Sequence, residues 1–154
     1  MRYIPFKLVG SFSFYQSFME VKEIIRSYNK FYISEKVELN FHYPTVFIND
    51  INLLIVFNSN GNSIRYFETK EDIYFKGVNL QKMNIIKIFD FFIGKDKSIY
   101  IDDEGSLISN KYGFIISKSN NVAENEVLLF SEEYLNEKEV SPDDIINYYL
   151  GSIG

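Results

Sequence analysis

A helix that is apolar on almost every side is predicted near the middle of the chain, and this feature constrains the fold most. Over residues 84–93 the apolar residues recur at helical spacing and extend round most of the surface: Ile85, Ile86, Ile88, Phe89, Phe91, Phe92 and Ile93. A helix of this kind is normally buried or covered by a partner. We therefore expect a central structural helix, with Phe89 in the core and strands before and after it.

Two further helices are predicted from the residues at their starts. Ser17 and Glu20 have the spacing of a capping box, which predicts a helix near 17–28. A serine, a proline and two acids in succession predict a short helix over 142–150, because acids stabilise the positive end of the helix dipole.

Apolar runs between the helices predict strands. The segments with alternating or continuous apolar residues are 37–43, 51–57, 64–68, 112–117 and 126–130. Helices and strands in this order predict an α+β fold, with a mainly antiparallel sheet and the helices packed on one face. The other face of such a sheet is then open for binding.

The order of a helix followed by several strands occurs twice. A shift of 67 residues places Gly10 on Gly77 and Ser17 on Asn84, and it superposes the two helices without a gap. Few residues are identical, so a tandem duplication and a chance recurrence of a common pattern are both open. We expect one domain over 1–154, made of two pseudo-repeats and a C-terminal helical segment, at 1–75, 76–130 and 131–154.

The negative charge is concentrated in the C-terminal part of the chain. The net charge is −5, with +1 in residues 1–77 and −6 in residues 78–154. Within 119–154, eight acids are opposed only by Lys138. This argues against a nucleic-acid-binding surface, since phosphates need cations, and it permits a basic protein partner. A solvated acidic face that aids solubility is the alternative.

The side chains that most enzymes use are scarce. There is no Cys, which excludes disulfides, thiolate metal sites and Cys nucleophiles, and His42 is the single histidine. A G-x-S-x-G motif and a Gly-rich phosphate loop are also lacking. Asp102, Asp103 and Glu104 are adjacent acids without the ligand spacing of a calcium loop. We expect a protein that is not an enzyme and has no metal site or cofactor.

The sequence shows no targeting segment. Its first residues lack the apolar region of a secretory signal, and no run approaches the roughly 20 apolar residues of a membrane span. We expect a cytoplasmic protein that does not bind membranes; its oligomeric state is not predicted.

The start of the first helix resembles the opening of a group of small bacterial domains. Residues 10–21 read Gly-Ser-Phe-Ser-Phe-Tyr-Gln-Ser-Phe-Met-Glu-Val, and Tyr15 stands where the G-x-F-x-L-G-x-S/T-x-x-E-V opening of helix-plus-meander domains usually has Gly. These domains include outer-membrane assembly lipoproteins, β-lactamase-inhibitor-like proteins and immunity proteins. In size, acidity and lack of catalytic groups, the chain is similar to the immunity proteins of bacterial polymorphic-toxin and contact-dependent-inhibition systems.

The resemblance implies a protein that neutralises a cognate toxin with a basic surface, such as a nuclease with a basic cleft, by occluding its active site. Acidic side chains would then mimic phosphates and speed association. The candidate partner-binding residues are acids of two segments and one aromatic: Asp102, Asp103, Glu104, Glu132, Glu133, Tyr134, Glu137 and Glu139.

Three alternatives accompany this hypothesis. Ordinary packing of a short helix is the alternative role for Tyr134. The alternative interface is the aromatic sheet face around Phe41, Tyr43 and Tyr66. The alternative function is a non-catalytic small-ligand-binding or structural domain.

Overall fold

The computed structural model describes residues 1–34, 37–38, 41–119 and 124–138. Within these ranges the chain forms an α+β fold dominated by a mainly antiparallel sheet, which confirms the predicted fold class. The helix predicted over 142–150 and the candidate residue Glu139 lie outside the described residues.

The first helix begins where its capping box predicts. The helix bounds are α1 (Phe18–Ile24, continued by a 3-10 turn at Ile25–Ser27), α2 (Ile85–Phe92) and α3 (Glu132–Lys138). The Ser17 hydroxyl accepts from the Glu20 amide over 3.2 Å, and the Glu20 carboxylate accepts from the Ser17 amide over 3.3 Å, which confirms the capping box. Asn84 caps α2 by accepting from the Ile86 amide.

The strands lie in the order that an antiparallel meander requires. They are β1 (Tyr3–Ile4), β2 (Leu8–Val9), β3 (Phe12–Ser13), β4 (Phe31–Ser34), β5 (Val37–Glu38), β6 (Phe41–His42), β7 (Thr45–Ile48), β8 (Leu53–Phe57), β9 (Ile64–Thr69), β10 (Tyr74–Phe75), β11 (Val78–Asn79), β12 (Tyr100–Ile101), β13 (Leu107–Ser109), β14 (Phe114–Lys118) and β15 (Asn125–Phe130). The prediction of one strand over 37–43 is wrong, because β5 and β6 are separate strands that pair antiparallel with each other.

The main sheet joins two four-stranded meanders. Its order is β12-β13-β14-β15-β9-β8-β7-β4, and all neighbouring strands are antiparallel. The meanders meet where β9 pairs with β15, with Glu68 directly opposite Leu128. The last strand of each meander therefore lies at the centre of the sheet, and the first strands, β4 and β12, form its edges.

The same local structure recurs in the two halves. Each half has a short hairpin, β2-β3 in the first half and β10-β11 in the second, followed by a helix and then a four-stranded meander. In the first half, the Ile64 amide donates to the Phe14 carbonyl over 2.9 Å; in the second, the Asn125 amide donates to the Gln81 carbonyl over 2.8 Å. Both carbonyls lie three residues before the helix cap, so the start of the last strand is tied to the same point in each half. A duplication as the origin of this pattern stays a prediction.

One face of the main sheet is covered by the N-terminal strands, α1 and α2. Buried residues alternate along the strands on this face, as in β7, β9 and β14. Aromatic pairs join the layers, with ring centroids 5.0–5.8 Å apart: Phe14–Phe67, Phe18–Phe57 and Phe92–Phe114. The core of the protein lies between these layers.

The central helix α2 is buried on one side only. Ile85, Ile88 and Phe92 are buried, and Phe89 is partly buried against the core. The residues that extend its apolar surface are exposed to solvent: Ile86, Phe91 and Ile93. The expectation that α2 is structural agrees with this position, but Phe92 rather than Phe89 is its most buried aromatic residue.

Candidate protein-binding surface

One row of side chains crosses the opposite face of the main sheet from edge to edge. Its members, one from each of the eight strands, lie directly across from one another: Tyr32, Phe47, Leu54, Glu68, Leu128, Ile115, Ile108 and Tyr100. We call these residues the transverse row. Directly opposed residues of antiparallel strands project to the same side of a sheet, so the eight side chains form a continuous strip. Seven of them are apolar or aromatic.

The transverse row is accessible to solvent along its length. Its two end residues are the most exposed, with 59% of Tyr32 and 47% of Tyr100 accessible. The six residues between them are half-buried. Large contiguous apolar patches are typical of contact surfaces, and tyrosine is enriched at protein interfaces because it has an apolar ring and a polar tip. The row therefore has the composition of a surface that binds another protein.

Glu68 places a carboxylate in the middle of this apolar strip. It lies between Leu54 on β8 and Leu128 on β15. Burial raises the pKa of Glu68 above its usual value, and the negative charge of Glu126 raises it further. The cation of Lys70, which pairs with Glu126 over 3.1 Å, opposes the shift. Ionised Glu68 is thus less stable here than in water, and a cation from a partner would stabilise it.

The substitution Glu68→Gln is expected to stabilise the protein at pH 7. A carboxyl with a raised pKa binds its proton more tightly in the folded state, so its ionisation costs stability as the pH rises through the folded pKa. The gain from Gln should be small at about pH 4, near the unfolded pKa, and largest at neutral pH. Solvent screening of this half-exposed group limits the gain to less than about 1 kcal/mol. Urea unfolding at the two pH values tests this, and a loss of stability at pH 7 would contradict it.

Helix α3 packs beside the transverse row on the same face of the sheet. The Tyr134 ring contacts Tyr66 and Phe130, with centroids 5.8 and 5.3 Å apart. The Arg65 guanidinium lies over the Tyr134 ring at 5.1 Å and pairs with Glu137. These contacts hold α3 across one end of the central strands. They leave the row uncovered by α3 except at its margin.

A small hollow lies at that margin. It has a volume of about 150 Å³ and is lined by residues of α3 and of four strands, including Leu135, Tyr100, Ile108 and Ile115. Small-molecule sites usually have volumes of about 300–1,000 Å³. The hollow therefore suits a single side chain of a partner better than a separate ligand.

The two predicted acidic segments lie at opposite ends of the sheet. Asp102, Asp103 and Glu104 form the turn between β12 and β13, whereas α3 follows β15 at the other end. The Asp102 carboxylate accepts from the amides of Glu104 and Ser106, so it stabilises the turn. Asp103 and Glu104 are exposed. These acids therefore do not form one continuous patch with those of α3.

The candidate residues on α3 have different surroundings. Glu132 is exposed, whereas Glu133 accepts a hydrogen bond from the Asn58 side chain over 2.9 Å. Glu137 pairs with Arg65, and Tyr134 is buried. The position of Tyr134 favours the packing alternative, and the bonds of Glu133 and Glu137 favour a role in holding the helix. Their part in partner binding stays a prediction.

The alternative interface around Phe41, Tyr43 and Tyr66 lies only partly within the described residues. Tyr66 lies on the same side of the sheet as the transverse row, under Tyr134, and Arg65 lies over the Tyr43 ring at 4.8 Å. The side chain of Phe41 lies outside the described residues. Tyr66 itself is half-buried and lies next to the transverse row.

Sequence reasoning missed Glu68 and the row around it. The strand over 64–68 was identified, but alternation alone makes Glu68 an ordinary solvent-facing residue. The segments 51–57 and 126–130 did indicate such a surface, because their apolar residues follow one another and therefore lie on both faces of the strand. Such runs predict apolar surface on the second face of the sheet. Only the register shows that this surface surrounds Glu68.

Asp96 is a buried carboxylate that the sequence did not single out. Its Oδ1 accepts from the Ser98 amide over 2.9 Å and from the Ser98 hydroxyl over 2.6 Å. Its Oδ2 accepts from the Ser109 hydroxyl over 2.7 Å, and that hydroxyl in turn accepts from the Tyr112 amide. The carboxylate therefore joins the loop after α2 to the turn after β13, which is a structural role.

The transverse row offers contact surface and one carboxylate. The described part of the chain contains no group of three or more His, Cys, Asp or Glu residues that could hold a metal ion. None of its described helices has the length and apolar character needed to cross a membrane. The chain matches no known protein family, no curated protein and no solved structure.

Proposed function

We propose that this protein is an immunity-type binding module that neutralises a cognate bacterial toxin, with the transverse row as its main contact surface. The observation that supports this most is the continuity of the row, which brings seven apolar or aromatic side chains and Glu68 onto one sheet face. A sheet held by ladder hydrogen bonds is rigid, so little conformational entropy is lost when its face binds. Binding is stoichiometric and covers the active site of the toxin.

The charges on the protein favour a basic partner. The net charge is −5, and Asp103, Glu104 and Glu132 are exposed at the two ends of the sheet. Exposed acids raise the association rate of a basic protein, whereas a desolvated charge pair acts mainly on the dissociation rate. Glu68 in the row would form such a pair with an Arg or Lys of the toxin. A nuclease with a basic cleft has this chemistry.

The test is to measure binding to a toxin encoded beside the gene, with variants of the row. Tyr32→Ala and Tyr100→Ala should each weaken binding about tenfold or more, chiefly by faster dissociation, because interface tyrosines often contribute more than about 1 kcal/mol. Tyr15→Ala is the matched control, since Tyr15 is 72% exposed and lies outside the row. Its affinity should equal that of the wild type. Surface plasmon resonance gives both rate constants.

Charge reversal separates the roles of the acids. Asp103→Lys and Glu132→Lys should slow association and reduce its dependence on salt, with the fold unchanged. If these variants abolish binding while the tyrosine variants have no effect, the acids form the interface and the row does not. If the protein instead forms a dimer that the tyrosine variants disrupt, a second copy occupies the row. If no neighbouring toxin binds, the immunity function is wrong.

A further inference from the structure

The edge strand β12 presents backbone groups that are free to pair with another strand. It is the last strand of the sheet, and its Tyr100 lies opposite Ile108. The Asp102 amide donates to the Ser106 carbonyl over 2.9 Å. Since the groups of successive residues in an antiparallel strand point alternately to either side, the N–H and C=O of Ile101 point away from β13. These are the groups with which an added strand would pair.

A hollow lies next to this edge, on the covered side of the sheet. It has a volume of about 500 Å³ and lies between the start of α2 and the end of β12, with Ile85, Ile86 and Ile101 on its apolar side. Ile86 is 56% exposed. A strand that pairs with β12 has side chains on alternate faces, so one of them would point towards this hollow. Extended peptides add to sheets at exposed edge strands, and pockets for alternate side chains give specificity.

The charged residues around β12 are basic before the strand and acidic after it. Lys95 and Lys97 precede β12 and are exposed, whereas Asp102, Asp103 and Glu104 follow it. A strand that pairs antiparallel to β12 has its N-terminal part beside the acids and its C-terminal part beside the lysines. A segment with a basic N-terminal part and an acidic C-terminal part would therefore match this edge.

We propose that β12 and α2 form a second binding site, which takes an extended peptide segment of a protein partner. The segment pairs antiparallel with β12 through Ile101, places an apolar side chain in the hollow beside Ile86, and has a basic residue near its N-terminal end. The hollow lies beside α2, on the covered side of the sheet, and the site requires no toxin. The added strand would lie next to Tyr100, the end of the transverse row.

The test uses a library of random 12-residue peptides displayed on phage, selected against the full chain. Enriched peptides should alternate apolar and polar residues and have Lys or Arg before the apolar positions. With a selected peptide, the amide signals of residues 100–102 and of the start of α2 should shift in NMR spectra. Ile86→Arg should weaken binding about tenfold or more, since a buried isoleucine contact is lost.

The internal repeat supplies a matched control for this variant. Met19 is the residue of α1 that corresponds to Ile86 when the helices are aligned, and it is 65% exposed. Met19→Arg should leave peptide affinity unchanged, and both variants should unfold at the wild-type temperature because both side chains are exposed. The proposal is overturned if no peptide is enriched over an unrelated protein, if the shifts lie elsewhere, or if Ile86→Arg and Met19→Arg behave alike. Enriched peptides with acids first would overturn the antiparallel direction.

Discussion

Replacing Gly113 with alanine is expected to lower the free energy of unfolding by about 2–5 kcal/mol, from about 1–2 kcal/mol of backbone strain and about 1–3 kcal/mol of overpacking. Gly113 has a φ of +72°, which disfavours any residue with a Cβ. An added Cβ would also lie 2.8 Å from the Tyr3 hydroxyl and 2.8 Å from Cε1 of Phe6. Tyr3 is buried, so it cannot move freely.

The Tyr3 side chain is fixed by its hydrogen bonds. Its hydroxyl donates to the Tyr112 carbonyl over 2.6 Å and lies 3.0 Å from the Gly113 carbonyl. Burial raises the pKa of Tyr3, so the hydroxyl keeps its proton and remains a donor. Displacing the ring would leave this buried hydroxyl without its acceptors, which adds to the cost of the substitution.

Gly105→Ala is the matched control for this prediction. Gly105 has a φ of +83°, but a Cβ there would meet no atom within 4 Å. The free energy of unfolding of Gly105→Ala should therefore fall only by the backbone strain of about 1–2 kcal/mol. Urea unfolding at neutral pH measures both variants. An equal loss in the two would show that the space around Gly113 accommodates a methyl group, contrary to the contacts described above.

The variant Phe92→Ala is expected to lose about 3–5 kcal/mol of stability, as is usual for a large aromatic residue in a packed core. Phe92 is fully buried. Its ring stacks on Phe75 at 5.4 Å and contacts Tyr112 and Phe114 at 5.6 and 5.8 Å. The substitution therefore leaves a cavity where α2, the β10-β11 hairpin and the main sheet meet.

The adjacent residue Phe91 is the control for Phe92. It is 42% exposed on the solvent side of the same helix. Phe91→Ala should cost about 1–2 kcal/mol, less than Phe92→Ala, because a large part of the Phe91 surface is already in water. Phe89→Ala should fall between the two, since Phe89 is partly buried. Denaturant unfolding measures the loss of stability in each of the three variants and so tests this order. A loss under about 1 kcal/mol for Phe92→Ala would mean that the cavity collapses without cost, which close packing does not allow.

The function proposed for the transverse row depends on the pairing of β9 with β15, which connects the two halves of the chain. Glu68 belongs to the last strand of the first half, and Leu128 to the last strand of the second. Each meander alone would have these residues on an edge strand. Their pairing puts a half-exposed carboxylate at the centre of an apolar strip, where a bound partner would exclude water and so strengthen the attraction to a cation.

The sequence alone determined those features of the structure that depend on residues close to each other in the chain. The capping box of Ser17 and Glu20 joins groups three positions apart, so spacing is enough to predict it. The strands over 51–57 and 64–68 also follow from a run of apolar residues and from alternation. These features established the fold class and the order of elements.

Only the tertiary structure decided which distant residues share a surface. Tyr32 and Tyr100 lie at the two ends of one row because the register of seven strand pairs aligns them, and a shift of one residue in any pair would turn a side chain to the other face. The acids of the turn at Asp102 and those of α3 are separated for the same reason. Spacing along the chain contains no information on pairing between strands, so the candidate acids could be read from the sequence and the transverse row could not.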